Sequence, residues 1–518
     1  MADEPLAINP WLIAVSVMLA TFMEVIDTSI ASVALPHIAG SLSATTDEAT
    51  WVLTSYLVAN AVVLPASGWM SLRFGRKRFL ITCIVIFTIS SFMCGAATTL
   101  PMILIARAVQ GAGGGALQPL AQSILLESFP PEKRGAAMAV YGLGVVVAPV
   151  LGPTLGGWLT DEYSWRWAFY INIPIGVLAI FMISRFVRDP DYIKNAKPGR
   201  IDGIGLGLLA LWLGALQIIL DKGQEDDWFG ATWIRWTALV LVTTFVAFVW
   251  RELAGKAPLV NLRIFRDRNF AIGCVLIGLF GGVIYGVVTL LPLFYQTLLG
   301  YSAAAAGWAV SSRGIGAICI MPVIGILVGR IDSRFMILTG FALFGATSLW
   351  MGGLTLDISP SSLLWPIVLS GMASGMVFVP LSTISVGTLK NEQIGNASGL
   401  FNLMRNVGGG IGISIVNTLV ARHSQIHRAE LAGNLSAGTP AFDSALQATR
   451  GAMSAFAPPN IAVQRAYGLL QGTLDVQSAA FSYVDVFRDL ALACFGCALV
   501  VLLMKKVKSR KGAPSVAH

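Results

Sequence analysis

The chain has 518 residues, of which 55% are apolar and only 12% are charged, and its formal net charge is +8. A soluble domain carries about 25% charged residues, so this composition excludes an ordinary soluble protein and predicts an all-α membrane protein. The 6 cysteines and 4 histidines lack metal-ligand spacing, and the sequence contains no phosphate-binding glycine loop. We therefore expect neither an enzyme activity nor a metal or cofactor.

Fourteen long apolar segments follow one another along the chain. At about 1.5 Å per helical residue, each is long enough to cross the hydrocarbon core of a bilayer. They cover residues 11–36, 49–70, 79–98, 101–126, 136–157, 168–187, 203–220, 232–250, 270–298, 304–329, 335–356, 361–388, 396–421 and 484–504. The sequence therefore predicts fourteen transmembrane helices.

Positive charges concentrate in alternate connections between these segments. The short opposite connections hold only Arg166 and Lys222, beside several acids. Because lysine and arginine are retained on the cytoplasmic side, we predict that both termini are cytoplasmic. We expect a multi-pass protein of the cell inner membrane, or of the plasma membrane in a host with one membrane. The same bias explains the net charge, so we expect no nucleic-acid partner.

A short motif occurs twice. Residues 68–79 (GWMSLRFGRKRF) and 325–335 (GILVGRIDSRF) share an initial glycine, an arginine five residues later and a basic-aromatic ending. Each follows a predicted span on the cytoplasmic side, which indicates an internal repeat. We predict six-helix halves at 1–187 and 258–518, separated by two inserted helices in 188–257. Parallel six-span repeats are the architecture of major facilitator transporters.

Two acids, Glu24 and Asp27, lie inside the first apolar segment. Their spacing of three residues puts both on one side of a helix. A charge at that depth costs about 2.5–3.5 kcal/mol, so it normally faces a cavity or a partner. Proton coupling is one interpretation and a structural ion pair is the other. The two are compatible, because one acid can be paired while its neighbour titrates.

Three arginines are also deep in the predicted membrane. Arg107 lies at a depth close to that of Asp27, and we predict a direct or water-bridged pair between them. Arg313 and Arg405 lie in the second half, where they bind an anionic substrate or an exchangeable carboxylate, or pair with backbone carbonyls. Tyr295 and Gln296, near the outer end of the ninth segment, line the substrate path in one interpretation. Anchoring of the tyrosine at the membrane interface is the alternative.

Four motifs occur in order along the chain. The first segment reads Asp27-Thr28 followed by VALP, and the fourth reads LIARAVQGAGGGA with Arg107, Gln110 and Gly111. The fifth contains a proline- and glycine-rich motif, and the sixth begins with WRWAFYINIPIG. The residues of the fifth-segment motif are Pro149, Gly152, Pro153, Gly156 and Gly157.

With these motifs the chain resembles the fourteen-span EmrB/QacA type of drug:proton antiporter within the major facilitator superfamily. The resemblance implies proton-driven export of amphipathic drugs or lipophilic weak acids by alternating access, with the proton gradient in place of a cofactor. The candidate proton-coupling residues are Asp27, Glu24 and Arg107, and we expect Asp27 to carry the proton. The resemblance gives Glu24 no role of its own. The prolines and glycines of the fifth segment allow it to bend and to seal or open the central cavity, and ordinary packing of small residues is the alternative. The candidate cavity residues are Glu24, Gln110, Tyr295, Gln296, Arg313 and Arg405. Proton-coupled symport, or export of one specific metabolite, remains the alternative on the same fold.

The loop after the second segment matches a further motif of this family incompletely. Its glycines and basic residues are in place, but Leu72 stands where the motif has an acid, which leaves the charge relay of that loop without its acid. The matching residues are Gly68, Arg73, Gly75, Arg76 and Lys77.

The segment 423–483 is the one long stretch between predicted spans, and it is rich in alanine, serine, glutamine and glycine. We predict an extracytoplasmic loop in which residues 461–474 form an amphipathic helix. The resemblance implies that a periplasmic adaptor protein and an outer-membrane channel work with the chain, and this loop is the candidate docking site. A solvated spacer is the alternative.

Overall fold

A computed structural model describes most of the chain. The predicted cytoplasmic N-terminus before residue 9, the predicted boundary at 257 and the basic C-terminal tail from 507 lie outside the described residues. The described residues are 9–194, 202–255, 258–301, 303–328, 330–356, 358, 360–434, 439–455 and 458–506.

The first part of the chain, up to residue 254, is a series of α-helices. They are α1 (Pro10–Ser41), α2 (Thr46–Phe74), α3 (Arg76–Gly95), α4 (Leu100–Gly114), α5 (Leu117–Ser128), α6 (Arg134–Glu162), α7 (Trp167–Tyr170), α8 (Asn172–Phe186), α9 (Asp191–Lys194), α10 (Gly203–Lys222) and α11 (Thr232–Ala254).

The second part continues in the same way. Its helices are α12 (Arg268–Thr297), α13 (Ala303–Leu327), α14 (Ser333–Met351), α15 (Pro360–Val386), α16 (Asn391–Asn434), α17 (Pro440–Ser454) and α18 (Pro459–Val501). The all-α fold class predicted from composition is thereby confirmed. The two faces of the bundle are called inner and outer according to the orientation that the loop charges predict.

Polar residues and glycines set the ends of these helices. At the start of α2, Thr45 and Glu48 form a reciprocal capping box. Asp267 accepts a hydrogen bond from the backbone N–H of Phe270 and so caps α12. Gly75 has φ +83°, a conformation that suits glycine, and it separates α2 from α3.

Among the described residues, 11 helices are long and apolar enough to cross a membrane, or 12 if the two bent parts of α6 count as one span. The predicted thirteenth and fourteenth spans correspond to α16 and α18, which are longer than a bilayer requires. They fall outside that count because α16 contains asparagines and glycines, while the apolar stretch of α18 carries Asp485, Arg488 and Asp489. The count of fourteen, like the orientation of the termini, stays a prediction.

The helices form two packed groups that meet along a shared interface. In the first half α1 packs on α6 and α8, and α4 packs on α2 and α3. In the second half α12 packs on α16, α13 on α15, and α14 on α15 and α18. The halves meet where α6 packs on α13 and where α16 packs on α2 and α5. The inserted helices α10 and α11 pack on each other, and α10 also contacts α2 and α16.

The described part of the segment 423–483 is mostly helical rather than a loop. Helix α16 continues to Asn434, α17 follows, and α18 begins at Pro459 and contains the whole predicted amphipathic stretch 461–474. Alanine-rich sequence favours helix, and a proline in the first turn of α17 and of α18 fits there because its missing N–H is not needed. We call residues 422–434, 439–455 and 458–483 the outer hairpin.

Candidate functional site

A buried ion pair lies in the middle of the first half. Arg107 Nη1 donates to Asp27 Oδ2 over 2.7 Å, and both side chains are fully buried. Arg107 Nε donates to the carbonyl of Val52 at 3.0 Å. The guanidinium lies 4.3 Å from the ring centroid of Tyr56 and 5.5 Å from that of Phe169. The pair expected from the depths of the two residues is therefore present as a direct contact.

Two amides complete the surroundings of Asp27. Gln110 Nε2 donates to Asp27 Oδ1 at 2.9 Å, and Asn172 Nδ2 donates to the same oxygen at 2.6 Å. Gln110 Oε1 accepts from Arg107 Nη1 at 2.8 Å, and Asn172 Nδ2 also donates to Ser91 Oγ at 2.9 Å. Helices α4 and α8 thus supply the partners of a carboxylate carried by α1, and Ser91 of α3 holds Asn172.

Glu24 has different neighbours, although it shares the buried side of α1 with Asp27. Asn60 Nδ2 donates to Glu24 Oε1 at 3.0 Å and to the hydroxyl of Tyr56 at 3.4 Å. The other oxygen, Oε2, is buried and has no hydrogen-bond partner. Gln118 of α5 lies beside the carboxyl group, and Arg405 of α16 acts on it electrostatically. Glu24 therefore faces the interface between the halves.

Amide and guanidinium groups cross that interface. Arg405 Nη2 donates to Gln118 Oε1, and Asn402 Nδ2 donates to Gln122 Oε1 at 2.7 Å. The Arg405 guanidinium lies 5.8 Å from the ring centroid of Phe378, while its Nε and Nη1 atoms are buried without a partner. Arg405 is thus a buried positive charge that is short of acceptors.

A cavity of about 60 Å³ separates the two halves at this level. Its walls are mostly apolar, and both deep arginines of the second half reach it. The lining residues are Val145, Val146, Pro149, Phe280, Ile284, Tyr285, Val288, Val310, Arg313, Phe378 and Arg405. Pockets for drug-sized ligands measure about 300–1,000 Å³, so the halves must separate before such a molecule fits.

Arg313 is the less satisfied of the two arginines. It is 1% exposed, and Nη2 donates to Ser374 Oγ at 3.1 Å. Its guanidinium lies 5.3 Å from the ring centroid of Phe344, and the Nε and Nη1 atoms have no hydrogen-bond partner. A buried guanidinium with free donors on an apolar cavity is suited to an anionic group.

Four predicted cavity residues do not line this cavity. Glu24 faces the interface between the halves, but it is not among the lining residues. Gln110 belongs to the Asp27 cluster inside the first half. Tyr295 is 1% exposed and stacks on Tyr301 with ring centroids 5.2 Å apart, while Gln296 is exposed on the surface of the bundle. Their depth along the helix was estimated from sequence, but the direction in which each side chain points depends on packing.

The sequence matches a known family over most of its length. A sequence model described as Major Facilitator Superfamily matches residues 17–413. The chain belongs to the major facilitator superfamily.

Curated relatives place the transporter in the EmrB-type drug efflux branch. It is 38% identical to the fatty acid resistance protein FarB of Neisseria gonorrhoeae, over 92% of each chain. It is 37% identical to the multidrug export protein EmrB of Escherichia coli strain K12, over 83% of this chain and 84% of the relative. The protein is therefore a multi-pass membrane transporter and not an enzyme.

A solved structure supports the fold independently. The human organic anion transporter MFSD10 superposes with a TM-score of 0.61 over 95% of this chain and 99% of its own, at 14% sequence identity. The major facilitator fold expected from the internal repeat is thus confirmed.

The proline- and glycine-rich motif lies on α6 between the two halves of the transporter. Helix α6 bends by 41° between its parts Arg134–Pro149 and Leu151–Glu162. At the bend, Ser29 Oγ of α1 donates to the carbonyl of Pro149 at 3.0 Å. On the opposite side Thr154 Oγ1 and Ser311 Oγ of α13 are 3.3 Å apart. Helix α6 therefore connects α1 with the second half.

We expect Gly152→Ala to lower stability and transport, and Gly157→Ala to be tolerated. A Cβ at Gly152 would lie 2.3 Å from Ser29 Cβ, whereas one at Gly157 meets nothing within 4 Å. Overpacking of this kind costs about 1–3 kcal/mol, while relief of glycine flexibility at 157 gains about 0.5–1 kcal/mol. Thermal unfolding in detergent measures both, and equal effects at the two positions would contradict the assigned α1–α6 contact.

The inner loop motif holds a charge network despite Leu72. Arg76 forms two hydrogen bonds of 3.0 Å with Glu127 at the end of α5, and Tyr192 of α9 donates to Glu127 Oε2 at 2.8 Å. Burial raises the pKa of Tyr192, so its hydroxyl keeps its proton and remains a donor. Arg76 thus has an acidic partner, Glu127, although position 72 carries no acid.

Two other residues of the motif, Lys77 and Gly75, contact the segment around the end of α8. The backbone N–H of Lys77 donates to Asp189 Oδ1 at 2.8 Å, and its Nζ donates to the carbonyl of Ser184. A Cβ at Gly75 would lie 3.0 Å from Asp189 Oδ2. These contacts fasten the start of α3 to the end of α8.

Gly68 lies at a close contact between helices, whereas Arg73 lies on the surface. A Cβ at Gly68 would lie 2.9 Å from the backbone nitrogen of Asn396, so glycine allows α2 to approach α16 at the inner end. Arg73 is exposed. The close approach of α2 and α16 joins the halves on the inner side.

Several site residues were not identified from the sequence. They are mostly amides within apolar spans, and an unpaired amide in a membrane is costly enough to have served as a signal. The missed residues are Tyr56, Asn60, Gln118, Gln122, Glu127, Asn172, Tyr192 and Asn402.

Proposed function

We propose that the protein is a proton-driven antiporter of the cell inner membrane that exports amphipathic drugs and lipophilic weak acids by alternating access. The observation that carries this proposal is Arg313, a buried and under-satisfied cation on an apolar cavity between the halves. Such a cavity fits a molecule with an apolar body and an anionic end. The names of the relatives, which include drug export and fatty acid resistance, agree with it.

Two buried acids on α1 support proton coupling. Glu24 is 4% exposed and Asp27 is fully buried. Charged side chains in a membrane commonly mark ion or proton pathways. The bend of α6 and the small cavity fit a cycle in which the halves separate on one face at a time.

The experiment uses purified protein in proteoliposomes and isotope-labelled anilinonaphthalene sulfonate, an amphipathic anion that carries no proton. An antiporter accumulates this anion when the lumen is acidic, in either orientation of the protein. A proton symporter accumulates it when the lumen is alkaline. Accumulation in the alkaline lumen would overturn the antiport proposal.

We expect Arg313→Gln to reduce accumulation of the sulfonate at least about tenfold, because a hydrogen bond to a charged group contributes about 1.5–3 kcal/mol. Arg313→Lys should retain part of the activity, since the positive charge remains while the planar guanidinium with its several N–H donors is lost. Arg235→Gln at the exposed outer start of α11 is the matched control. Equal accumulation by Arg313→Gln and the control would remove Arg313 from the substrate site.

We further propose that the outer hairpin docks a periplasmic adaptor protein, which passes the exported molecule to an outer-membrane channel. Three exposed apolar residues of α18, Ile461, Leu469 and Val476, are spaced by eight and seven residues and so lie on one side of the helix. An apolar stripe on a segment predicted to lie in water is typical of a protein interface.

A further inference from the structure

We propose that Glu24 carries the exchanged proton, with Arg405 as its counter-charge across the interface, and that Asp27 stays ionised throughout the cycle. The proposal rests on the proton-driven function argued above. It differs from the expectation drawn from sequence, in which Asp27 carries the proton. The contact sets of the two acids are the reason.

The Asp27 carboxylate accepts three hydrogen bonds, all from N–H donors. Oδ2 accepts from Arg107, and Oδ1 accepts from the amides of Gln110 and Asn172. Each of these partners presents an N–H, so a proton on Asp27 would face donors. Protonation would also leave the buried Arg107 charge without its anion, which is strongly unfavourable in a buried site.

The two amides cannot turn to accept that proton without loss. Gln110 Oε1 already accepts from Arg107 Nη1. Asn172 Nδ2 donates to Ser91 Oγ, and the Ser91 hydroxyl in turn donates to the carbonyl of Phe169 at 2.8 Å. Turning either amide would therefore break a buried hydrogen bond.

Glu24 can accept a proton without displacing a partner. Asn60 donates to Oε1, Gln118 lies beside the carboxyl group, and Oε2 has no hydrogen-bond partner. The titratable and charged groups that act on it are Asp27 on its own helix, Tyr56 on α2, Tyr141 on α6 and Arg405 on α16. Arg405 is the cation among them that belongs to the other half.

The position of Arg405 makes the state of Glu24 depend on the arrangement of the halves. Arg405 is 3% exposed, and its Nε and Nη1 lack acceptors, so an ionised Glu24 nearby compensates its charge. When the halves separate, each ion loses that compensation. A proton from water on the outer side then bonds to Glu24, and the O–H bond breaks toward inner water when Arg405 returns.

This cycle gives the two arginines different tasks. Substrate travels while Glu24 is ionised and neutralises Arg405, which leaves Arg313 free to hold the anionic end. The return step occurs with Glu24 protonated and the cavity empty. Exchange of one substrate for a proton then follows from the alternation of these two states.

The test compares two assays on the same proteoliposomes with labelled anilinonaphthalene sulfonate: accumulation driven by an acidic lumen, and exchange without a pH gradient. For Glu24→Gln we expect accumulation to fall at least about tenfold, equivalent to 1.4 kcal/mol or more. Exchange should lose its dependence on pH, because the amide at position 24 neither gains nor loses a proton. For Asp27→Asn both activities should fall together, because the whole Asp27 cluster is disturbed. Glu225→Gln, an exposed carboxylate outside the bundle, is the matched control.

Glu24→Asp provides the second variant, and it should keep accumulation with a displaced pH profile. Undiminished accumulation by Glu24→Gln, or an unchanged pH profile in Glu24→Asp, would overturn the assignment. So would an Asp27→Asn protein that exchanges normally but no longer accumulates. Failure of the unmodified protein to accumulate the sulfonate in an acidic lumen would instead contradict the proposed function itself.

Discussion

Asp27→Asn and Arg107→Gln are each expected to destabilise the folded transporter by about 3–5 kcal/mol, because each leaves one buried charge without its partner. The double variant should recover much of that loss, since it removes both charges. It should nevertheless stay inactive, because the first half then lacks the charged centre that holds α1 against α4. Thermal unfolding in detergent measures stability, and sulfonate exchange in proteoliposomes measures activity.

The chain contains a matched control pair. Arg428 Nε and Asp475 Oδ1 are also 2.7 Å apart, but each side chain is 49% exposed. Asp475→Asn should cost less than about 1 kcal/mol, as exposed ion pairs contribute little. If Asp27→Asn destabilises no more than Asp475→Asn, or if the double variant is as unstable as the two single variants combined, the buried pair is not the structural centre described here.

Depth along a helix could be predicted from sequence, whereas direction around it could not. Counting residues from the ends of apolar segments placed Asp27 and Arg107 at one level, and they are in contact. Gln110 was a candidate for the cavity through its motif, but it points to Asp27. Small differences in helix rotation decide such cases, and those depend on packing between residues far apart in sequence.

Substitution within a motif was equally hard to interpret. Leu72 breaks the acidic position of the inner loop motif, yet Arg76 finds Glu127, which is 51 residues away. Only the packing of α5 against α3 brings that acid within reach. A motif therefore describes a charge requirement, and the fold can meet it from another helix.

Polarity of residues 423–483 identified a segment outside the predicted spans but not its secondary structure. Alanine, glutamine and serine occur both in solvated loops and in helices. The interactions that decide for helix are long-range, such as His427 Nε2 with Asp485 Oδ2 at 2.7 Å and the contact of Arg428 with Asp475. They connect the outer ends of α16 and α18, whose sequences are separated by α17.

Removing residues 433–471 and joining the ends with a short glycine-serine linker should abolish drug resistance in cells with two membranes. The cut removes α17 and the outer part of α18 that carries Ile461 and Leu469, and hence most of the proposed adaptor surface. Helices α16 and α18 remain paired through Arg428 and Asp475, so their new ends lie close together. Sulfonate accumulation in proteoliposomes should therefore persist, because the cavity and both acids are untouched. Growth in the presence of drug measures the first effect.

Three comparisons decide what the outer hairpin does. The shortened transporter should still confer resistance in a host with a single membrane, where no adaptor is needed. In the full-length chain, replacing Ile461, Leu469 and Val476 together by serine should reproduce the loss in two-membrane cells, whereas Gln464→Ala on the same exposed part of α18 should not. Loss of accumulation in proteoliposomes on shortening would show that the hairpin controls the cavity. Full resistance of the shortened transporter in two-membrane cells would show that the hairpin is only a spacer. Removal of a surface that docks the adaptor would instead stop transfer of the drug to the outer membrane.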